Sequence, residues 1–287
     1  MSDAYEQSVE LHRQHQGKIE IKSKVPLDTR EDLSRAYTPG VARPCERIHA
    51  DVNESFDLTM RGNSVCVLTD GTAVLGLGNI GPAAAMPVME GKACLFKAFA
   101  NIDAIPLCVQ VPEGDAGTQQ LIEIAKAIAP SYSGINLEDI AAPRCFAVED
   151  ALQDIGIPVM HDDQHGTAIV LLAAMINAMR VVGKEFTDAR VVINGAGAAG
   201  TAIANESDVC VSVKEVIMCD SKGIIGPDRT DLNDEKKALL AFTNRPGISG
   251  TVHDAIKDAD VFIGVSVGNL LCADDVRRMN NDAIILA

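Results

Sequence analysis

The sequence has no tryptophan, three tyrosines and seven phenylalanines, so aromatics make up 3% of its 287 residues. Any core must therefore be aliphatic. Positive charge is also scarce: 25 Lys and Arg stand against 40 Asp and Glu, a net charge of −15. That balance excludes the basic footprint a nucleic-acid partner requires. No window reaches about 18 uncharged apolar residues, so no membrane span is expected. The opening Met1-Ser2-Asp3-Ala4-Tyr5-Glu6 is polar and acidic, without the basic start and apolar centre of a signal peptide. None of the eight cysteines belongs to a C-x-x-C pair. Scattered through apolar runs, they read as reduced, mostly buried thiols of a cytoplasmic protein.

What is present points to a soluble α/β enzyme: hydrophobic residues reach 47% and glycines number 23. The length favours two domains. Residues 4–16 are helix-prone, and residues 18–22 (Lys-Ile-Glu-Ile-Lys) alternate like a short strand. Asp28 or Thr29 can cap a helix over residues 30–35, which runs out at Tyr37-Thr38-Pro39-Gly40. A tyrosine on that turn can point into a cleft or be merely structural. Residues 65–71 read as a buried strand, followed by Gly76-Leu77-Gly78-Asn79-Ile80-Gly81. This is formally a dinucleotide fingerprint. It is rejected because Pro82 and Pro87 interrupt the stretch beyond it and no strand ending in an acid closes a βαβ unit. Lys92 stands in an apolar stretch, where desolvation would lower its pKa and suit it to general-base work; the plain alternative is a lysine snorkelling off a helix.

Further strands are expected over residues 105–111, 134–140 and 155–160, with helices over residues 119–128 and 146–154. The third-strand region ends in Glu138-Asp139. Residues 161–167 (His-Asp-Asp-Gln-His-Gly-Thr) place Asp162 and Asp163 between two histidines, ahead of an apolar helix from Ala168 to Met179. Acids at the C-terminal ends of strands lie where open α/β sheets bind ligands. Glu138, Asp139 and one or both of Asp162 and Asp163 thus form a candidate set of hard oxygen ligands, suited to Mg²⁺ or Mn²⁺ rather than zinc. The alternative is solvated loop acids.

The second glycine turn is in full context. A strand (residues 189–194) runs into Gly195-Ala196-Gly197-Ala198-Ala199-Gly200, a helix opens at Thr201, and a strand over residues 213–220 ends in Asp220. This is the Rossmann arrangement, with the pyrophosphate on the helix N-terminus. Asp220 would accept from the adenosine ribose, favouring NAD, while Lys222 keeps NADP open. A short helix (253–259), a strand (260–266) reaching Ser266, another helix (273–279) and a last strand (282–287) continue the alternation.

Taken together, these stretches resemble the malic enzymes, specifically the short bacterial type. The likeness rests on the Tyr37-Thr38-Pro39-Gly40-Val41 turn, Glu90-Gly91-Lys92, Asn136-Leu137-Glu138-Asp139, residues 161–167 and residues 194–200. It implies divalent-metal-dependent oxidative decarboxylation of L-malate to pyruvate and CO2, with NAD or NADP reduced. Carried over residue by residue, it makes Lys92 the base for the C2 hydroxyl and Tyr37 the acid for C3, with Asp162 beside the lysine. Glu138, Asp139 and Asp163 become the metal ligands. Residues 195–200, Asp220 and Ser266 fall to the cofactor. A homodimer is expected from the family, without nucleic acid or membrane. The architecture implied is two α/β domains: residues 1–164 with the chemistry, and a Rossmann-like domain from 165 to 287.

Three departures stand against the family pattern. Members continue past the last strand into an Ala-Asn-Pro turn, whereas this sequence stops at Ala287. Polar Asn205-Glu206-Ser207-Asp208-Val209 interrupts what should be apolar helix, and Ser266-Val267-Gly268-Asn269 replaces a Pro-Gly or Gly-Gly turn. A truncated or frame-damaged member is expected. Two alternatives stand beside an active enzyme: a silent homologue that still binds nucleotide and metal, or a metal-dependent oxaloacetate decarboxylase. A generic Rossmann dehydrogenase would leave the acidic pairs and Lys92 unexplained. No arginine among Arg35, Arg43, Arg61 and Arg144 is favoured by spacing for the distal malate carboxylate.

Overall fold

The structure is a computed structural model describing residues 2–206 and 213–287. Two compact units divide at Met1–Met160 and His161–Ala287, four residues before the expected boundary. Both are α/β, as expected.

In the first unit, helices α1 (Ser2–His15), α2 (Arg30–Ala36), α3 (Ala42–Ala50) and α4 (Ser55–Leu58) precede strand β1 (Ser64–Thr69). Then come α5 (Pro82–Ala100), β2 (Asp103–Cys108), α6 (Gly114–Ile128), β3 (Gly134–Leu137), α7 (Arg144–Asp150) and β4 (Val159–His161). The four strands form one sheet in the order β2-β1-β3-β4, with β2 and β3 both parallel to β1. β4 straddles the division between the units. Val67 on β1 packs against Met89 and Ala93 of α5, which gives that helix its apolar face. Pro106 is tolerated because β2 is an edge strand and has no second neighbour to receive its missing N–H. The chain passes from β1 and β2 at one edge to β3 on the other side of β1. The ends of β1 and β3 therefore flank a switch point, where open sheets bind ligands.

The second unit runs α8 (Asp162–Val182), β5 (Arg190–Asn194), α9 (Ala198–Glu206), β6 (Glu215–Asp220) and β7 (Gly223–Ile224). Helices α10 (Asp234–Leu239) and α11 (Val252–Ala255), strand β8 (Val261–Gly264), helix α12 (Ala273–Arg277) and strand β9 (Ile284–Leu286) complete it. The sheet order is β7-β6-β5-β8-β9, parallel except for β7. Side chains alternate across β5. Val191 and Ile193 join Met175 and Met179 of α8 and Ala202 and Ile203 of α9. Val192 turns to the opposite face with Val252 and Ala255 of α11. Helices thus cover both faces, as a Rossmann sheet requires. The switch point here lies between β5 and β8.

Four local expectations are corrected. Residues 18–22 belong to no strand: Glu90 on α5 accepts from the Lys18 N–H at 3.0 Å, and Lys18 Nζ donates to the Pro87 carbonyl at 2.6 Å. These bonds hold the segment against a helix instead of a sheet. Pro82 and Pro87 do not interrupt α5. Pro82 begins it, where its missing N–H costs nothing, and the helix continues through Pro87 to Ala100. A βαβ unit therefore does come after Gly76–Gly81, although β2 ends on Cys108 and not on an acid. Finally, α8 starts at Asp162, six residues before the expected start at Ala168, because two carboxylates complement the N-terminal pole of a helix.

Among the described residues, one helix, α8, is long and apolar enough to cross a membrane by length and composition. The expectation of no such run counted only uncharged stretches. Ala168, Met175 and Met179 of this helix pack into the second unit's core. The departure expected at residues 207–209, and Cys210 with it, lie outside the described residues. The other seven cysteines are free thiols, but the expectation that most are buried is corrected: Cys66, Cys145 and Cys219 are buried, whereas Cys45 and Cys272 are exposed. Burial pushes Cys66 and Cys219 up to about 12, which makes them inert, as expected of core thiols.

Candidate functional site

In the first unit the predicted chemistry gathers at the end of β3. Glu138 and Asp139 leave the strand there and are both buried. Glu138 accepts from Asn136 Nδ2 at 2.7 Å and faces Lys92 Nζ at 3.1 Å. Lys92 reaches it from the middle of α5 with 22% of its side chain exposed, so this lysine is not one that snorkels into solvent. A lysine so covered needs a partner, and the carboxylate supplies one. Asp139 takes a left-handed backbone (φ +53°), an uncommon conformation that clusters at functional sites. Its carbonyl accepts from the Ala73 N–H at 3.0 Å, and the Ala141 N–H donates to Thr72 Oγ1 at 2.9 Å. The loop after β1 is thereby tied to the loop after β3. Asp70 at the end of β1 is buried against Arg144, whose guanidinium also donates to the Pro112 carbonyl at 3.1 Å.

Arg144 is thus a strut between loops. Arg61 is another: it donates to Tyr132 O and Ser55 Oγ and stacks over Phe56. Arg35 and Arg43 stay exposed, each paired with a carboxylate three residues away. Tyr37 caps the C-terminal end of α2, its N–H donating to Leu33 O at 2.9 Å, and it stands 73% exposed. The turn presents this tyrosine to solvent, not to an enclosed cleft of the first unit.

In the second unit, His161 is fully buried, and burial pushes its imidazole below the ordinary value. The carboxylates of Asp163 and Asp162 pull it up, while His165 adds to the lowering. Asp162 lies along the first turn of α8, with its Oδ1 2.5 Å from where a Cβ on Gly166 would stand. A side chain at 166 would make the Asp162 carboxylate turn aside.

The turn at residues 195–200 has three glycines with three separate reasons. Gly195 holds φ +126°, and a Cβ there would meet the Val265 carbonyl at 2.7 Å. A Cβ on Gly200 would lie 1.7 Å from the Gly195 carbonyl oxygen. Gly197 faces open space. That is the division of labour a pyrophosphate cradle needs: a tight turn, an open approach and close helix packing. Asn194 Nδ2 donates to Ser266 Oγ at 2.6 Å, joining the ends of β5 and β8 across the switch point. A cavity of about 300 Å³ opens beside them, lined among others by Asp220, Lys222, His253 and Ser266. Residues 195–200, Asp220 and Ser266 therefore lie together at one end of the sheet. Two partners of Asp220, Arg229 and Lys236, escape a reading by local pattern. Both are visible as basic residues, but they lie 9 and 16 residues on.

The two halves match two family profiles: malic enzyme N-terminal domain over residues 16–153, and malic enzyme NAD-binding domain over residues 164–284. The bifunctional malic/malolactic enzyme of Bacillus subtilis is 51% identical over 284 residues, covering 98% of this chain and 68% of that protein. The chain belongs to the malic enzyme family. An NADP-dependent malic enzyme of Rhizobium meliloti is 44% identical over 98% of this chain and 36% of its own length. The crystal structure of an NAD-dependent malic enzyme from Thermotoga maritima superposes with a TM-score of 0.91 at 44% identity, covering 96% of this chain and 73% of that one. This malic enzyme chain thus spans between about a third and two thirds of the curated relatives' lengths. Malic enzymes named for NAD and for NADP are similar to it, so a nicotinamide cofactor is supported and the choice between the two is not made by likeness.

Proposed function

We propose that this chain carries the reaction centre of a malic enzyme: it oxidises L-malate at C2, delivers the hydride to NAD(P)⁺, and releases CO2 and pyruvate. The supporting observation is the buried pairing of Lys92 with Glu138 beside Asp139 at a sheet switch point. Glu138, Asp139 and Asp163 are proposed to hold Mg²⁺ or Mn²⁺. Their donor chemistry fits, being hard carboxylate oxygen throughout, and two of the three are buried. When bound, such a cation supplies Lewis-acid charge that polarises the C2 oxygen and steadies negative charge as CO2 departs. Lys92 Nζ, as the neutral amine, takes the C2 hydroxyl proton as hydride leaves C2, and Asp162 is proposed as a further carboxylate of the centre. The C3–C4 bond then breaks, and the Tyr37 hydroxyl returns a proton to C3.

The partner proposed is a second copy of the chain. The exposure of Ile21, Leu33, Tyr37 and Val41 supports an interface on the N-terminal segment. Cytoplasmic residence is proposed on the free thiols. Reduced-nicotinamide formation from L-malate and Mn²⁺, with NAD⁺ and NADP⁺ in parallel, tests the activity. Turnover that EDTA abolishes is expected; turnover indifferent to EDTA would overturn the metal's role, and a folded chain without turnover would overturn the activity.

A further inference from the structure

Glu138 and Asp139 are consecutive, and in an extended strand their carboxylates would leave on opposite faces of the sheet. Glu138 keeps the phase of β3. Its N–H donates to the Leu68 carbonyl at 3.0 Å, and Asn136, two residues earlier, donates to its side chain at 2.7 Å. Asp139 breaks that phase with its φ of +53°. A carboxylate oxygen of each thereby lies within 4.8 Å of one from the other, near enough for both to reach one cation. A left-handed backbone at a non-glycine residue costs free energy, and it persists where the surroundings over-determine it.

The loop after β1 does this. The Ala73 N–H donates to the Asp139 carbonyl at 3.0 Å, and the Ala141 N–H donates to Thr72 Oγ1 at 2.9 Å, so the turn is held at Asp139 and again two residues on. Thr72 is itself fixed from behind. Its hydroxyl donates to Asp70 Oδ1 at 2.6 Å, and its N–H donates to the same oxygen at 3.1 Å. Arg144 holds the other Asp70 oxygen and also reaches the Pro112 and Gly114 carbonyls at 3.1 and 3.4 Å. Only 1% of the Asp70 side chain and 13% of Arg144 are exposed, so the pair is shielded from water, where a charge-assisted bond is strong. The Thr72 hydroxyl donates to a carboxylate and accepts from an amide at once, a double role that an apolar side chain of the same shape cannot copy.

We infer that Thr72, backed by the Asp70–Arg144 pair, is a positioning residue for Asp139: its hydroxyl fixes the left-handed turn that brings two consecutive carboxylates to one side. The inference rests on the proposal that Glu138 and Asp139 hold a divalent cation. It adds what preorganises them, through three residues outside the proposed ligand set.

The test is Mn²⁺ binding to the whole chain, without malate or nucleotide, followed by the paramagnetic resonance of the free ion. Thr72→Val keeps the shape of the side chain and removes the hydroxyl. It should weaken Mn²⁺ binding about tenfold, the weight of one hydrogen bond. Thr72→Ser restores the hydroxyl and should bring affinity back to within about twofold of the parent. Ala125→Gly, on the buried face of α6 and outside both loops, loosens the first unit and should also stay within about twofold. Thr72→Ala repeats the measurement if the valine variant does not fold. Asp139→Ala reports on the metal site itself and should weaken binding at least as much as Thr72→Val. Parental affinity in folded Thr72→Val or Thr72→Ala, or an equal loss in Thr72→Ser or Ala125→Gly, would overturn the positioning role while leaving the metal site standing. A parent chain that binds no Mn²⁺, or an Asp139→Ala variant that binds it as the parent does, would overturn the metal site as well.

Discussion

Each unit passes from a parallel strand into a helix through the same spacing of glycines, and the two turns do different things. In the second unit Gly195 comes directly after β5. The helix N-terminus is drawn against the strand end so closely that Gly200 nearly touches the Gly195 carbonyl. In the first unit six residues (70–75) separate β1 from Gly76, and residues Leu75–Leu77 form a turn of 3₁₀ helix. Gly76, Gly78 and Gly81 would each accept a Cβ without meeting another atom within 4 Å. The close approach falls instead on Gly71, whose Cβ would meet Gly81 at 2.5 Å. The distance from strand end to first glycine, more than the pattern itself, decides whether the turn can cradle a pyrophosphate. The acid differs too: β6 ends on Asp220, β2 on Cys108.

Substitution at the glycines breaks this comparison most sharply. Gly200→Ala puts a methyl into a backbone oxygen and should cost about 3 kcal/mol or more, along with nucleotide binding. Gly71→Ala should approach that loss, because a close backbone contact and a φ of +70° both oppose it. Gly81→Ala meets only the backbone penalty of its φ of +78° and ψ of 166°, a conformation open almost only to glycine, and should cost about 1–3 kcal/mol. Gly76→Ala should stay within about 0.5 kcal/mol of the parent. Urea unfolding midpoints rank the four, and equal effects of Gly200→Ala and Gly76→Ala would dissolve the distinction.

A smaller effect sharpens the contrast between the strand-end residues. Burial pushes the Asp220 carboxyl up, but hydrogen bonds from Arg229, Lys236 and the Lys222 N–H outweigh it and bring the pKa down to about 2, from 3.8. The folded value lies below the unfolded one. The stabilisation is therefore complete above about pH 4 and is lost as pH falls towards 2, by no more than about 2 kcal/mol. Asp220→Asn should be less stable at neutral pH and should flatten the acid limb of the stability profile in that window. An unchanged limb would show that the network contributes little.

What was legible in the sequence was what adjacent residues encode. The run from β5 through Gly195–Gly200 to α9 and Asp220 was readable because each signal sits beside the next. Lys92 and Glu138 stood out separately as a lysine among apolar residues and an acid at a strand end. Their pairing spans 46 positions and belongs to the packing of α5 on β1. Pro87 misled because helix formation there is decided by the burial of Met89 and Ala93, which outweighs local propensity. The alternation at residues 18–22 misled because Glu90 and the Pro87 carbonyl claim Lys18 first. The saturation of Asp220 depends on a loop and a helix that return to the strand end, which no local spacing announces.

The proposed division of labour gives the base to the first unit and the dinucleotide to the second. Measuring Lys92→Ala for both malate-dependent nucleotide reduction and NADP⁺ affinity tests it most directly. Turnover should fall by roughly 10²- to 10⁴-fold, the usual weight of a general base, while nucleotide affinity stays within about twofold of the parent, since Lys92 is not among the residues lining the cavity beside Asp220. Parental turnover in the variant, or a loss of nucleotide binding that matches the loss of turnover, would contradict it.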